Sequence, residues 1–530
     1  MKTTAKRFCK TLLPLFLAVT MVVGLLVGCA GKKDYTKGGG VNGDYFAPAE
    51  EAGAELYSKA DPDKDNAEEP SDAFVENPFI DTARQNVSTF SADVDTASYA
   101  LFRKTVTGWV RQKANKQTIL SALEKNATFF RTEEFLNYFR YEANAPKDGE
   151  LFGTTAGILP CPWNPKNQLL RLTLQAPATT PTGGNNLVFL IDVSGSMSTE
   201  DKLPLLKTAF TYLVNQLTER DVVSIVTYSG KEEVVLQGCA GNERQKILDA
   251  VNGLTARGAT NGEAGMKKAY ELASDYRIEG GNNRIIMASD GDLNVGIRSG
   301  DELKAFIEGK RDEGTFLSIL GFGSGNYRDS TMETLAQNGN GVYYYIDGES
   351  EAQKVFGTDL ISTLYTVAKD VKMQLTFDPT YVASYRQIGY ENRQLNREDF
   401  TDDTKDAGEV GAGHQVTVFY ELVMTENGQK TDLAADTAFM TLAVRYKAPD
   451  GDVSNEDTYS IGVSDRTVPD SDTEFMFCVL ELTMLLHNSK YLPADKSVTY
   501  ATVLAKLRGL DLDRHSDRAE FRSLVEAFAE

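Results

Sequence analysis

The sequence predicts an α/β chain. A doubly wound, mostly parallel sheet spans about 186–365, a small α+β module precedes it, and a region of β-strands and then helices follows. Three observations predict this. Apolar strands alternate with amphipathic segments from Leu187 to Ile346. The alternation stops after about Ala368 and gives way first to strand patterns and then to helical ones. Oxygen-bearing side chains gather in loops that follow strand carboxyl ends. Continuous apolar strands alternating with helices indicate a sheet covered on both faces. Such sheets bind ligands beyond the carboxyl ends of their strands, where the strand order reverses.

The chain opens on Lys2, Lys6, Arg7 and Lys10, followed by an apolar run from Leu12 to Val27. This is the order of a secretory leader. The run ends in Leu26-Val27-Gly28-Cys29, which resembles the lipobox of bacterial lipoproteins. The resemblance implies cleavage before Cys29, lipidation of its thiol, and a place on the extracytoplasmic face of the cell membrane. The alternative is an uncleaved N-terminal helix of nearly spanning length. Residues 1–28 are thus read as leader and 29–78, rich in Gly, Ala, Asp and Glu, as a flexible tether. Asp61-x-Asp63-x-Asp65 imitates the start of an EF-hand loop. Asn66 stands where the turn glycine belongs, Pro62 intrudes, and Asp72 replaces the final Glu, so a solvated acidic run is expected instead. Once Cys9 is removed and Cys29 lipidated, Cys161, Cys239 and Cys478 remain. Their spacing fits no zinc motif, and three small buried hydrophobes are expected.

Residues 79–180 read as the α+β module. Ser88–Asp95 looks like a strand leading into a helix from Thr96, Arg131–Tyr141 is a second helix, and Leu169–Leu174 alternates as a strand. A Pro/Thr/Gly linker, Pro177–Gly184, separates it from the alternating domain. There the expected strands are Leu187–Ile191, Val222–Thr227, Val234–Leu236, Arg284–Ala288, Phe316–Leu320 and Val342–Ile346. Leu203, Leu206, Phe210, Leu213 and Leu217 make one helical face, with Thr199, Glu200 and Asp201 as an acidic start. In 370–530 the strands are Val371–Phe377, Gln415–Leu422, Thr441–Tyr446 and Tyr459–Val463. The helices are Phe475–His487, Val498–Leu507 and Arg518–Phe528.

The first strand of the alternating domain runs into Asp192-Val193-Ser194-Gly195-Ser196. Three oxygen-bearing side chains at i, i+2 and i+4 converge if the loop turns. A second loop holds Thr260 and Asn261, and a third, after Ala288, holds Ser289, Asp290 and Asp292. With no His or Cys among them, the set suits a hard cation, Mg²⁺, Mn²⁺ or Ca²⁺, and disfavours zinc or copper. Two carboxylates and several hydroxyls leave such a site near neutral and open, so it attracts one more carboxylate. Asp292 reads as a loop or outer residue.

Asp192-x-Ser194-x-Ser196, Thr260 and Asp290, on strand–helix alternation over about 186–365, resemble the metal-ion-dependent adhesion site of von Willebrand factor A domains. The resemblance implies a doubly wound fold and Mg²⁺ or Mn²⁺ as the usual ion. Ser194, Ser196 and Thr260 would lie near the metal, Asp192 and Asp290 would bond it directly or through water, and a partner carboxylate would complete the shell. Three flanking segments are similar to the bacterial YfbK-type lipoproteins over roughly 85–525: Asp93-Val94-Asp95-Thr96-Ala97-Ser98-Tyr99, Pro162-Trp163-Asn164-Pro165 and Ile388-Gly389-Tyr390-Glu391-Asn392-Arg393. That likeness implies architecture and no activity. For Asp93-x-Asp95 the readings are a helix cap or a second cation site; for Ile388–Arg393, packing on the A domain; for Trp163, a buried turn anchor. Tyr343, Tyr344 and Tyr345 alternate between faces of a strand. His414, His487 and His515 read as structural or surface residues.

The charge of −21, from 55 basic and 76 acidic residues, argues against nucleic acid and anionic lipid as general partners. No G-x-S-x-G elbow, Walker A loop or H-E-x-x-H occurs. The expectation is therefore a lipid-anchored, non-enzymatic adhesion, assembly or scaffold protein whose bound cation takes an acidic group of a protein partner. The alternatives are a metal-dependent hydrolase of envelope polymers and a regulatory or chaperone module of an envelope complex. The sequence leaves the oligomeric state open.

Overall fold

The computed structural model describes residues 74–178, 183–258, 262–291, 300–323, 329–359, 365–449 and 451–529. The expected leader with Cys29, nearly all of the tether with its EF-hand-like run, Thr260 and Asp292 lie outside the described residues.

The first flank contains β1 (Ile80–Asp81), β2 (Val87–Ser91), α1 (Ala97–Arg111), α2 (Lys116–Lys125), α3 (Thr132–Tyr138), β3 (Gly153–Pro160) and β4 (Gln168–Gln175). The central domain runs β5 (Asn185–Asp192), α4 (Leu203–Gln216), β6 (Val222–Tyr228), β7 (Glu232–Ala240), α5 (Arg244–Asn252) and α6 (Glu263–Asp275). It continues with β8 (Asn282–Ser289), α7 (Gly300–Asp312), β9 (Phe316–Phe322), α8 (Asp329–Asn338), β10 (Tyr343–Ile346) and α9 (Glu349–Lys354). The second flank holds β11 (Thr366–Phe377), β12 (Val382–Ile388), β13 (Gln394–Leu395), β14 (Gly408–Gly411), β15 (Gln415–Met424), β16 (Ala438–Lys447) and β17 (Ser454–Gly462). Three helices close it: α10 (Ser471–Leu486), α11 (Tyr500–Gly509) and α12 (Ser516–Ala529).

The central sheet has the order β10-β9-β8-β5-β6-β7, parallel throughout except for the β6–β7 edge pair. Every residue of β5 is buried, as a strand with helices on both faces must be. Leu187, Phe189 and Ile191 point into one core with Leu206, Phe210 and Leu213 of α4; Val188 and Leu190 point into the other with Met266 and Ala269 of α6. The three tyrosines of β10 divide as the pleat demands, Tyr344 to the first core and Tyr343 and Tyr345 to the second. The expected apolar face of α4 is buried along its whole length. Its expected acidic start is not part of it: the helix begins at Leu203 with Pro204 in its first turn, and Thr199 instead donates its hydroxyl to Asp201 at 2.6 Å. Proline is preorganised for that position, so the helix begins there rather than at the acids.

The two flanks are distinct stretches of sequence, yet their strands pair with one another. One sheet has the order β1-β12-β15-β4-β3, the other β13-β2-β11-β16-β17. In the first, Leu170 and Leu172 of β4 face Tyr420 and Val418 of β15; in the second, Ser88 and Phe90 of β2 face Leu375 and Met373 of β11. Their inner faces share one core, which includes Phe90, Leu172, Leu375, Val418 and Leu442. A second shared core joins Tyr99, Phe102 and Phe135 of α1 and α3 to Phe475, Leu480 and Phe521 of α10 and α12. The parallel-sheet domain is thus inserted into a β-sandwich and helical layer built from both sides of it.

Cys161, Cys239 and Cys478 are buried free thiols. Trp163 is buried and its indole N–H donates to Glu421 at 3.2 Å, an anchor for the turn after β3. The helix expected at Arg131–Tyr141 stops at Tyr138, with Phe139 already extended.

Candidate metal centre

β5 delivers Asp192, and the neighbouring β8 delivers Ser289 and then Asp290, to one edge of the central sheet. From β5 the chain moves to β6 on one side, then returns to β8 on the other, so the two acids flank the reversal point. Both are buried, at 0% and 3% exposure. Asp192 Oδ1 accepts the Ser194 amide at 2.7 Å, which turns the chain out of the strand. The turn brings Ser194 Oγ to 2.9 Å from Ser196 Oγ. The second loop is lashed to the first by Arg257 N to Val193 O at 2.7 Å and Gly195 N to Gly258 O at 3.1 Å. Gly258 lies two residues before Thr260, which itself is outside the described residues.

Two further described residues stand at the edge. Lys202, at the entry to α4, places its ammonium 2.8 Å from Asp290 Oδ2 and 2.9 Å from the Ser196 carbonyl. Its side chain crosses Gly323, where any Cβ would overlap it and where φ is +81°. Tyr228 ends β6 opposite Asp192. Burial, and then the Asp192 charge, hold its hydroxyl well above the usual range, so it stays neutral. Neither residue appears in the motif. The one signal for Lys202 is that a cation at a helix start opposes the helix dipole and so asks for another partner.

The donors fit a hard cation. They are carboxylates and hydroxyls, and the lysine ammonium shows that the loops accept positive charge at this point. Among the described residues no three His, Cys, Asp or Glu side chains converge as metal ligands.

Asp93 and Asp95 do not cap α1. Its N-cap is Thr96, which makes no side-chain cap bond. Both carboxylates instead face Arg393, with Nε 3.1 Å from Asp93 and Nη2 3.1 Å from Asp95. Arg393 also lies 3.5 Å from Glu333 of α8, and Asp95 accepts the Tyr343 amide of β10 at 3.1 Å. A guanidinium can satisfy two carboxylates at once, which a helix terminus cannot match. The two flanking motifs therefore meet, and together they fasten the sandwich to the amino ends of the central strands, as expected for Ile388–Arg393. The histidines take no part in the edge: burial pushes His414 down to about 3 and His487 down to about 4, and His515 is exposed.

Three family descriptions match: "von Willebrand factor" over 65–171, "von Willebrand factor type A domain" over 186–358, and "Uncharacterized protein YfbK, C-terminal" over 362–530. The chain is 36% identical to "Uncharacterized protein YfbK" of Escherichia coli over 476 residues, covering 86% of this chain and 80% of that one. It is 29% identical over 188 residues to inter-alpha-trypsin inhibitor heavy chain H3 of Mesocricetus auratus, covering 33% of this chain and 21% of that protein. Among solved structures, a von Willebrand factor type A protein from Catenulispora acidiphila is similar at a TM-score of 0.38 and 15% identity, over 65% of this chain and 81% of that one. By its likeness to the Escherichia coli protein along most of both chains, and by the matching of both domains, this chain belongs to the YfbK family of von Willebrand factor type A domain proteins.

Proposed function

We propose that this protein is a lipid-anchored extracytoplasmic adhesion or assembly protein, that its A domain holds a divalent cation, and that the cation takes an acidic group of a protein partner. One observation carries the reading: Asp192, Ser194, Ser196 and Asp290 gather at the reversal point of a parallel sheet, with only oxygen donors. These residues, with Thr260, would hold Mg²⁺, or Mn²⁺ or Ca²⁺. Bound there, the ion would supply a positive charge to a carboxylate on a protein whose net charge is −21. Membership of a von Willebrand factor type A family supports a protein-interaction role. The leader and Leu26-Val27-Gly28-Cys29 support the anchor. Among the described residues, the ionisable side chains that stand beside the two carboxylates are a neutral tyrosine and a lysine paired with Asp290, and neither is poised as a general base.

Membranes carrying the tagged full-length chain, solubilised and captured in Mg²⁺ or in EDTA, test this. A protein partner retained with Mg²⁺ and lost with EDTA or in Asp192→Ala is the expected result. Retention indifferent to both would sink the metal-dependent reading and move the interaction to the flanks.

A further inference from the structure

The chain is acidic overall, yet from Thr96 to Leu123 it contains no Asp or Glu and five basic residues: Arg103, Lys104, Arg111, Lys113 and Lys116. This segment is α1, a short turn and the start of α2. The structure fixes where it lies relative to the metal edge. α1 starts beside the beginning of β10, where Asp95 holds the Tyr343 amide. By Arg103 it has reached the end of β10: the guanidinium grips Asp347 through Nε at 2.8 Å and Nη2 at 2.6 Å, and Glu351 at 2.6 Å. β10 is parallel to β9, β8 and β5, so its end lies on the same edge as Asp192 and Asp290. Arg103 is buried, so this grip sets the direction of α1 firmly.

The next residue touches the metal edge itself. Lys104 Nζ lies 3.1 Å from Asp201 and over the Tyr345 ring, and Asp201 directly precedes Lys202. Arg111 follows Lys104 by seven residues, two turns along the same helix stripe and about 10 Å further out. Gly108 lies between them on that stripe and has open space where a side chain would stand. Arg111, Lys113 and Lys116 are exposed, and beside Arg111 stands Val110, at 47% exposure one of four large apolar side chains left in solvent among the described residues. The turn that presents them is ordered, because Asn115 caps α2 through the Thr118 amide at 2.9 Å.

We infer that this projecting end of α1 and the metal edge form one docking surface for an acidic segment of a protein partner. The inference rests on the metal-dependent reading above for one carboxylate of that segment. Further carboxylates lie along Arg111 and Lys113, and Val110 offers an apolar contact beside them. Charge complementarity selects the occupant: Arg111 and Lys113 are exposed cations on a chain of net charge −21, and their field falls off within a Debye length of about 8–10 Å.

The test uses the full-length chain and a fluorescent twelve-residue peptide of alternating Asp and Glu, followed by anisotropy with Mg²⁺ or EDTA. Expected is binding in Mg²⁺ that weakens at least tenfold in Arg111→Glu/Lys113→Glu and weakens with added salt. Lys430→Glu, on the loop between β15 and β16, should leave it unchanged. Calorimetric Mg²⁺ binding by the double variant should equal that of the parent, which shows that its fold and metal edge are intact. Equal peptide binding by parent and double variant, with loss in Asp192→Ala, would overturn the extended surface and leave the metal reading standing. Loss in the double variant with no effect of Asp192→Ala or EDTA would overturn the joint surface and count against the metal reading as well. Full-length chain with Asp61, Asp63, Asp65, Glu68, Glu69 and Asp72 changed to Asn or Gln provides the last arm. Peptide binding tightened tenfold or more in that variant would identify the tether as occupant and overturn the assignment to a partner.

Discussion

Replacing Lys202 by methionine removes the positive charge that the metal edge holds within its own chain. The ammonium lies 2.8 Å from Asp290 Oδ2, with its side chain 12% exposed and that of the acid 1% exposed. A divalent ion held by Asp290 cannot share this position with it. At about 4 Å and an effective dielectric near 20, charges of +1 and +2 repel by roughly 8 kcal/mol. The ammonium must therefore withdraw as the ion enters, giving up charge-assisted hydrogen bonds worth about 1.5–3 kcal/mol. Methionine keeps the stem as far as Cε, which is the part that lies over Gly323, and needs no such withdrawal. Lys202→Met should then bind Mg²⁺ at least 10-fold and up to about 150-fold more tightly, read by calorimetry on EDTA-stripped protein. The same change removes the ammonium from Asp290, so the metal-free variant should lose about 1.5–3 kcal/mol of stability, the same free energy that its tighter Mg²⁺ binding returns at saturation. Unchanged or weaker Mg²⁺ binding by Lys202→Met would refute the view that the ammonium and the ion compete for one place.

Arg393→Met should cost about 3–5 kcal/mol, because it takes the guanidinium from the buried Asp93 and Asp95, and should lower the urea midpoint with the slope unchanged; a loss under about 1 kcal/mol would contradict the fastening role. Arg393→Lys should rescue little of this, since an ammonium cannot fork between two carboxylates. His414 is held neutral by burial, at about 3 in the folded chain against an ordinary 6.5. The unfolded chain therefore binds the extra proton between those values, and stability is lost as pH falls from 6.5 toward 3, with a slope approaching about 1.4 kcal/mol per pH unit for this ring. Denaturation midpoints of parent and His414→Gln compared from pH 7 to 5 should show the variant losing less on acidification; parallel curves would refute the assignment.

The central sheet is readable in the sequence because each parallel strand is a short continuous apolar run that no other element explains. The α4 face is readable because five apolar residues keep helical spacing from Leu203 to Leu217. The sandwich is not readable: β4 pairs with β15 across some 240 residues, and a strand's own pattern says which face is buried, not which strand lies beside it. α2 escapes because only Ile119 and Leu123 of its ten residues are buried, too few to mark a period. At the metal edge the motif carries Asp192, Ser194, Ser196 and Asp290, since loops after strands place them together. Lys202 and Tyr228 depend on what those loops fold against, which only the tertiary arrangement decides. Asp93 and Asp95 show the same limit. A local rule offers them a helix start, and a guanidinium about 300 residues onward binds them better.

The most direct measurement is a calorimetric titration of EDTA-stripped full-length chain with MgCl₂ and with MnCl₂, alongside Asp192→Ala and Asp290→Ala. Expected is saturable binding of one ion per chain, lost or weakened at least tenfold in both variants while their denaturation in the absence of metal stays cooperative. No saturable heat from the parent, or equal binding by Asp192→Ala, would contradict it.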